Sequence, residues 1–266
     1  MNPRRYWYYF LSIFKMIFGF KNWFSMLPLF LSKEQASGMA IQLRQPPIQM
    51  QVRSAMDVWS IKETFFDAFY TKIGSPVQNG WCVIDIGAGI GDFSIKAAYG
   101  MSDIQVFAFE PFSSSYKLLL ENLEINKIDN VQPFQKAVWH QDGKLSLDRS
   151  ILEPLQITSN EINLHNPLPI TEEIDAVSLI TFCKQVHISK IDLLKMDCEG
   201  AEYPIILKSP PEIFKLIDRI VMEYHDLNEQ KNHFQLVAYL EGQGYQVRQQ
   251  QNYVHNYLGY LYAEKL

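Results

Sequence analysis

The sequence predicts an α/β fold, a mostly parallel sheet of seven strands with helices on both faces. Three observations carry this. Short, almost wholly apolar runs such as Cys82–Ile86 and Gln105–Phe109 are what a strand covered on both faces needs. These runs alternate with segments of helical period, which implies parallel pairing through helical crossovers. A glycine-rich turn follows directly on the first run, at Gly87, Gly89 and Gly91.

Taken in order, the chain opens on an aromatic stretch, Tyr6–Ser32, interrupted by Lys15 and Lys21. At 3.6 residues per turn Arg5, Ser12, Lys15, Gly19 and Asn22 share one narrow stripe, and Trp7, Phe10, Leu11, Phe14, Ile17 and Phe18 cover the rest. Residues 1–32 are therefore expected to form a basic, aromatic amphipathic helix that Pro28 ends. Three readings of it stay open: in-plane contact with a membrane, packing on its own domain or a second subunit, and the start of a signal peptide, although no clear cleavage site follows. Residues 33–55 are polar, contain Pro46–Pro47, and read as a linker or irregular lead-in. Met56–Tyr70 places Val58, Ile61, Phe65 and Phe69 on one helical face. From there residues 56–266 read as one domain. After strand Cys82–Ile86 come helix Asp92–Tyr99, strand Gln105–Phe109, helix Ser113–Ile125 and a third strand, Val131–Val138. Residues 139–172, with three prolines, read as an inserted hairpin and loop. Helix Val177–Gln185, strand Ile191–Met196, helix Gly200–Leu207, strand Arg219–Glu223, helix Gln230–Leu240 and strands Tyr245–Gln249 and Leu258–Ala263 complete the pattern.

Composition narrows the function. The chain has 266 residues, 47% hydrophobic and 20% charged, which is enough to build a core and excludes a disordered chain. A net charge of −5 argues against a nucleic-acid binder. The first 33 residues carry five cations and no acid, so the remainder stands at −10, and the cationic head is expected to have a partner of its own. Three scattered cysteines without a CxxC pair suit neither a disulfide framework nor a zinc cluster, and point to the reducing cytoplasm. If the head binds lipid, the expected location is the inner face of the membrane.

The chemistry concentrates at strand ends. Asp85-Ile86-Gly87-Ala88-Gly89-Ile90-Gly91 resembles a dinucleotide turn, but its third glycine comes one residue early and Asp92 would repel a pyrophosphate. A cofactor without phosphate fits better. Asp85 suits a ligand amino group, Glu110 at the end of the second strand suits ribose hydroxyls, and Phe112 can cover an adenine edge. S-adenosylmethionine has all three features. At the fourth strand's end lie Asp197, Glu199 and Glu202; Glu202 is expected to cap the next helix, while Asp197 and Glu199 are candidates for ligand binding or catalysis. Glu223 and His225 end the fifth strand.

VIDIGAGIGDFSIKAA, VFAFEPF, IDLLKMDCEGAEYPIIL and IVMEYH, in this order, resemble the FkbM family of S-adenosylmethionine-dependent methyltransferases, and KMDCEGAE is the most specific of them. The resemblance implies a Rossmann-like class I methyltransferase domain and methyl transfer to a hydroxyl of a sugar or secondary metabolite. It carries over Asp85, Gly87, Ala88, Gly89, Gly91 and Glu110 as cofactor contacts, with Ala137 a weaker one, and Asp197 and Glu199 as the signature acids. Gly89 stands where many relatives have asparagine, and either residue fits a tight turn.

His225 is the first choice for a general base, with Glu199 second. A divalent metal is not expected; if one binds, Asp197, Glu223 and His225 are the ligands to test. The expected partner is a small-molecule or glycan acceptor and not nucleic acid, with peripheral membrane contact through residues 1–32 and self-association left open. The competing reading is an inactive methyltransferase-like binding module.

Overall fold

The computed structural model describes residues 3–31, 38–148 and 171–265. Helix α1 (Pro3–Gly19) is followed by a 3-10 turn, Trp23–Met26, and by α2 (Leu27–Leu31). Pro28 thus stands at the second position of a helix rather than at an end, where its missing N–H leaves no bond unmade. The polar stripe of α1 is the face that docks. Ser12 is buried, and Lys15 forms an ion pair with Asp67. The Tyr8 hydroxyl lies 2.7 Å from Asp67, and the buried Lys62 ammonium donates to it at 2.6 Å. Gly19 lies so close to the Phe66 ring that a Cβ would overlap it.

The stretch expected to be a linker is a buried hairpin, β1 (Met39–Gln42) paired antiparallel with β2 (Gln49–Val52). Ile41, Leu43, Ile48, Met50 and Val52 are all fully buried. Asn122 of helix α6 (Ser113–Ile125) and Asn126, which caps its C-terminus, bind the hairpin backbone: Asn126 accepts from the Gln49 N–H, and Asn122 from that of Gln51. The N-terminal segment is therefore no appendage, since Phe20, Met26 and Leu29 share one core with the hairpin and the sheet. The following helical stretch is not continuous. Helix α3 (Ala55–Lys62) runs into a π turn, Glu63–Asp67, and Ala68 adopts a left-handed φ of 54° before α4 (Phe69–Ile73). The π turn brings Glu63 and Asp67 against α1.

The main sheet contains β3 (Cys82–Ile86), β4 (Gln105–Phe109), β5 (Val131–Phe134), β9 (Leu193–Met196), β10 (Arg219–His225), β11 (Tyr245–Gln251) and β12 (Leu258–Lys265). Their spatial order is β11-β12-β10-β9-β3-β4-β5, with β12 antiparallel to both neighbours. Side chains alternate between two cores. Ile84, Phe107, Leu194 and Ile220 face one, while Val83, Val106, Leu193 and Val221 face the other. Helices α5 (Asp92–Ala98), α6 (Ser113–Ile125), α7 (Leu179–Gln185), α8 (Glu202–Lys208) and α9 (His233–Gly242) cover the sheet.

The third predicted strand splits. After β5 the chain turns at Gln135-Lys136 and enters a small second sheet, β6 (Ala137–Trp139), β7 (Gly143–Asp148) and β8 (Thr171–Ser178), in the order β6-β8-β7. The expected hairpin is β7 with β8, and its tip, residues 149–170, lies outside the described residues. From β3 the chain steps outward through β4 and β5, then returns to the other side of β3 as β9. The strand order therefore reverses at the β3–β9 boundary, where open α/β sheets form a crevice at their carboxyl ends.

Candidate active site

One wall of this crevice is the turn from β3 to α5. Gly87 has φ +73°, and a Cβ on it would fall 1.8 Å from the Asp197 carbonyl oxygen, so the turn and the tip of β9 pack backbone against backbone. Gly89 has φ +54° and nothing within 4 Å of its Cβ direction, which leaves the space over the turn open. The Gly87 and Ala88 N–H groups both donate to the Phe109 carbonyl, at 3.0 and 2.9 Å. Ala88 thus contributes backbone, its side chain being buried. Gly91 precedes the first turn of α5.

Glu110 lies just past β4. Its carboxylate accepts from the Gly89 N–H at 2.8 Å and from the Phe112 N–H at 2.9 Å. Burial raises this carboxyl to about 7, against the pull of those two donors. Each oxygen keeps a lone pair for a further donor. Phe112 is half-buried at the start of α6. Ala137 sits in β6 of the small sheet with its side chain buried in the core, so it offers the crevice no side-chain surface.

Asp85 corrects one expectation. Its carboxylate is fully buried, 2.9 Å from the Lys195 ammonium, and accepts from the Ser94 hydroxyl at 2.6 Å. The cation it neutralises is therefore the chain's own lysine. Lys195 also donates to the Gly87 carbonyl at 2.9 Å, tying β9 to the turn. Burial disfavours its charge, but Asp85, Asp197 and Asp92 outweigh that and hold its pKa above the ordinary lysine range. Sequence reading missed Lys195. The signal was present: a lysine inside an apolar parallel strand needs a buried partner.

The second wall is the tips of β9 and β10. Tyr70 donates to Asp197 at 2.8 Å. Glu199 has a left-handed φ of 53°, uncommon outside glycine and asparagine, and its carboxylate lies 2.9 Å from His225 Nε2. His225 Nδ1 is 3.4 Å from Glu202, which accepts the Cys198 and Gly200 N–H groups at 3.0 and 2.7 Å. Glu202, in the first turn of α8, thus closes the turn ahead of the helix rather than capping it, the N-cap being Ala201 with no side-chain cap bond. Burial disfavours the His225 charge, but the Glu199 and Glu202 carboxylates beside it hold its pKa well above the usual histidine value. That shift favours the imidazolium form of His225 over the free base. Burial raises Glu199, with His225 opposing; burial and then Asp197 raise Glu223 well above the carboxylate range. The buried Tyr260 hydroxyl has no hydrogen-bond partner among the described residues, and Tyr260 is paired with Glu223 across the strands.

Among the described residues, ligand atoms of Asp197, Glu199 and His225 lie within 4.8 Å of one another. Glu223 is outside that group, so the predicted ligand set changes. Both imidazole nitrogens already face carboxylates, and a metal would have to break the Glu199 contact.

Residues 85–247 match the family model described as the methyltransferase FkbM domain. The chain is 26% identical over 181 residues to Methyltransferase 1 of Beauveria bassiana, covering 62% of this chain and 72% of that protein. It is 25% identical over 216 residues to 31-O-demethyl-FK506 methyltransferase FkbM of Streptomyces tacrolimicus, covering 72% and 82%. Among solved structures, the methyltransferase FkbM of Methylobacillus flagellatus shares the fold at a TM-score of 0.51 and 16% identity, over 74% of this chain and 47% of that one. The match begins at the strand end that carries Asp85 and runs through both walls of the crevice, and by it the chain belongs to the FkbM methyltransferase family.

Proposed function

We propose that this methyltransferase uses S-adenosylmethionine and transfers the methyl group to a hydroxyl oxygen of a sugar or secondary metabolite. The carrying observation is Glu110, a buried carboxylate bound to the Gly89 and Phe112 N–H groups beside an open glycine turn. Its free lone pairs suit two ribose hydroxyls, and Phe112 flanks the same corner. The turn's fit to a phosphate-free ligand and the acids Asp197 and Glu199 both favour a cationic cofactor over a nucleotide diphosphate. When bound, S-adenosylmethionine supplies a methyl group already activated on a sulfonium.

The chain's own part is then to place an acceptor oxygen and take its proton. Glu199 is suited to this. Burial raises its basicity, its side chain is 30% exposed at the crevice, and the imidazolium of His225 fixes one of its oxygens. His225 is a positioning residue in this reading. The name of the Streptomyces tacrolimicus relative, a methyltransferase of a 31-O-demethyl compound, supports oxygen as the acceptor atom.

Calorimetry with S-adenosylmethionine tests the cofactor. Wild type is expected to bind, and Glu110→Ala to bind at least about tenfold more weakly, the loss of one or two charge-assisted hydrogen bonds. Folded wild type that binds no S-adenosylmethionine would overturn the reading and favour a non-catalytic binding module.

A further inference from the structure

The docking of α1 leaves a surface unexplained. The helix meets its own domain through Tyr8, Ser12, Lys15 and Gly19, a stripe of polar and small residues. Its apolar residues point away. Trp7 is 62% exposed and Phe18 72%, and Phe10, Leu11, Ile13 and Phe14 lie between them in exposed positions. At 100° per residue these six span an arc of roughly 160°. Phe24, Leu27, Phe30 and Leu31 continue the surface through α2, with Leu31 at 88%. Soluble domains rarely expose so large a continuous apolar patch without a partner.

Charge identifies the partner. Arg5, Lys21 and Arg44 are exposed on this lobe, the Arg44 N–H donating to the Gly19 carbonyl at 2.8 Å. Residues 3–31 contain no acid. An apolar aromatic face edged by cations matches the acyl boundary and headgroups of an anionic leaflet. Length fixes the mode. The 17 residues of α1 rise about 26 Å, short of a bilayer's roughly 30 Å core, and among the described residues no helix is long and apolar enough to cross a membrane.

We infer that α1 and α2 lie in the plane of an anionic lipid bilayer, with Trp7, Phe14 and Phe18 inserted and Arg5 and Lys21 at the headgroups. The docked surface adjoins the crevice. The Tyr8 ring centroid lies 5.8 Å from that of Tyr253, in the loop that leads to Leu258, and Leu258 pairs with His225. The helix that would lie on the bilayer is thereby tied to the strand end that carries His225.

Co-sedimentation of the full chain with vesicles tests this without reference to methyl transfer. Vesicles of phosphatidylcholine with about one-third phosphatidylglycerol should bind it about tenfold or more tightly than phosphatidylcholine alone, and added salt should narrow the gap. The triple variant Trp7→Glu/Phe14→Glu/Phe18→Glu should lose binding while retaining the wild-type circular dichroism spectrum. In wild type, brominated lipid should quench part of the tryptophan fluorescence, and Trp7→Phe should remove that part, a readout that needs no charged variant. Absence of vesicle binding, or equal binding by wild type and triple variant, would overturn the inference. So would a stable dimer in light scattering that the triple variant abolishes and vesicles do not compete with, since a second copy would then own the face.

Discussion

On one side of the crevice the groups facing the mouth are backbone. The Gly87 and Ala88 N–H groups are fixed on the Phe109 carbonyl and the Gly89 N–H on Glu110. On the other side they are ionisable side chains: Asp197 under Tyr70, Glu199 against His225, and Glu223 beneath the Tyr260 strand. A wall of backbone donors keeps one geometry at any pH, except where the Gly89 N–H meets Glu110, whose carboxyl burial raises to about 7. A wall of carboxylates and imidazolium holds its shape only while its protons are distributed correctly. That division suits a cofactor that never changes and an acceptor that must give up a proton. Lys195 is the joint between the two, rooted in β9 and bonded to the Gly87 carbonyl and to Asp85.

The sharpest way to break the comparison is to remove that joint. Lys195→Met leaves the Asp85 carboxylate buried without a counter-charge, and it should destabilise the fold by about 3–5 kcal/mol in urea denaturation. Adding Asp85→Asn should recover part of the loss, because the uncompensated charge goes with it. If Lys195→Met costs no more than an exposed ion pair, the two walls stand independently.

The backbone wall can be probed on its own. Gly87→Ala should cost about 3 kcal/mol, from a positive φ and a Cβ driven into the Asp197 carbonyl. Gly89→Ala meets only the φ penalty, about 1 kcal/mol, because its Cβ faces open space. A bound ligand would fill that space, so the Gly89 variant should fold well and bind S-adenosylmethionine poorly. Equal stability losses for the two, by the same denaturation measurement, would contradict the packing of the turn on β9.

The two walls also differed in how far sequence alone revealed them. Strands β3 and β4 and helix α6 were legible to the residue, because an apolar run or a 3.6 period bounded by glycine or proline leaves little choice of ends. The glycine turn was legible for the same reason, since backbone chemistry is written in residue type. The side-chain wall was legible as a list and not as a set of bonds. Asp197, Glu199 and His225 come together as expected, but which carboxylate holds the imidazole depends on the left-handed turn at Glu199. The hairpin 39–52 hid behind Pro46–Pro47 and four glutamines, although its apolar residues alternate with period two. On α1 the period is legible, but which face meets the domain is not. The polar stripe faces inward because Lys62 at the end of α3 and Asp67 in the π turn supply its partners. No local pattern announces partners more than forty residues away.

The side-chain wall is tested through its protons. His225 is held above its ordinary pKa, so its contribution to stability is complete below the unfolded value of about 6.5 and is lost as pH rises through the folded pKa. Glu202 runs the other way: buried, but bonded to His225 and to backbone N–H groups, it is held below the ordinary glutamate value. Its contribution is present above the unfolded value and is lost as pH falls through the folded pKa. His225→Gln should therefore cost most near pH 6, about 2 kcal/mol for the loss of a charged contact with two carboxylates. The difference from wild type should shrink steadily towards pH 9, in urea denaturation repeated across that range. Over the same range the effect of Gly87→Ala should stay flat, since its cost is steric, a Cβ against the Asp197 carbonyl. A His225→Gln cost that grows with pH would mean a neutral imidazole at rest, and would return His225 to the role of proton acceptor that Glu199 holds in the proposed mechanism.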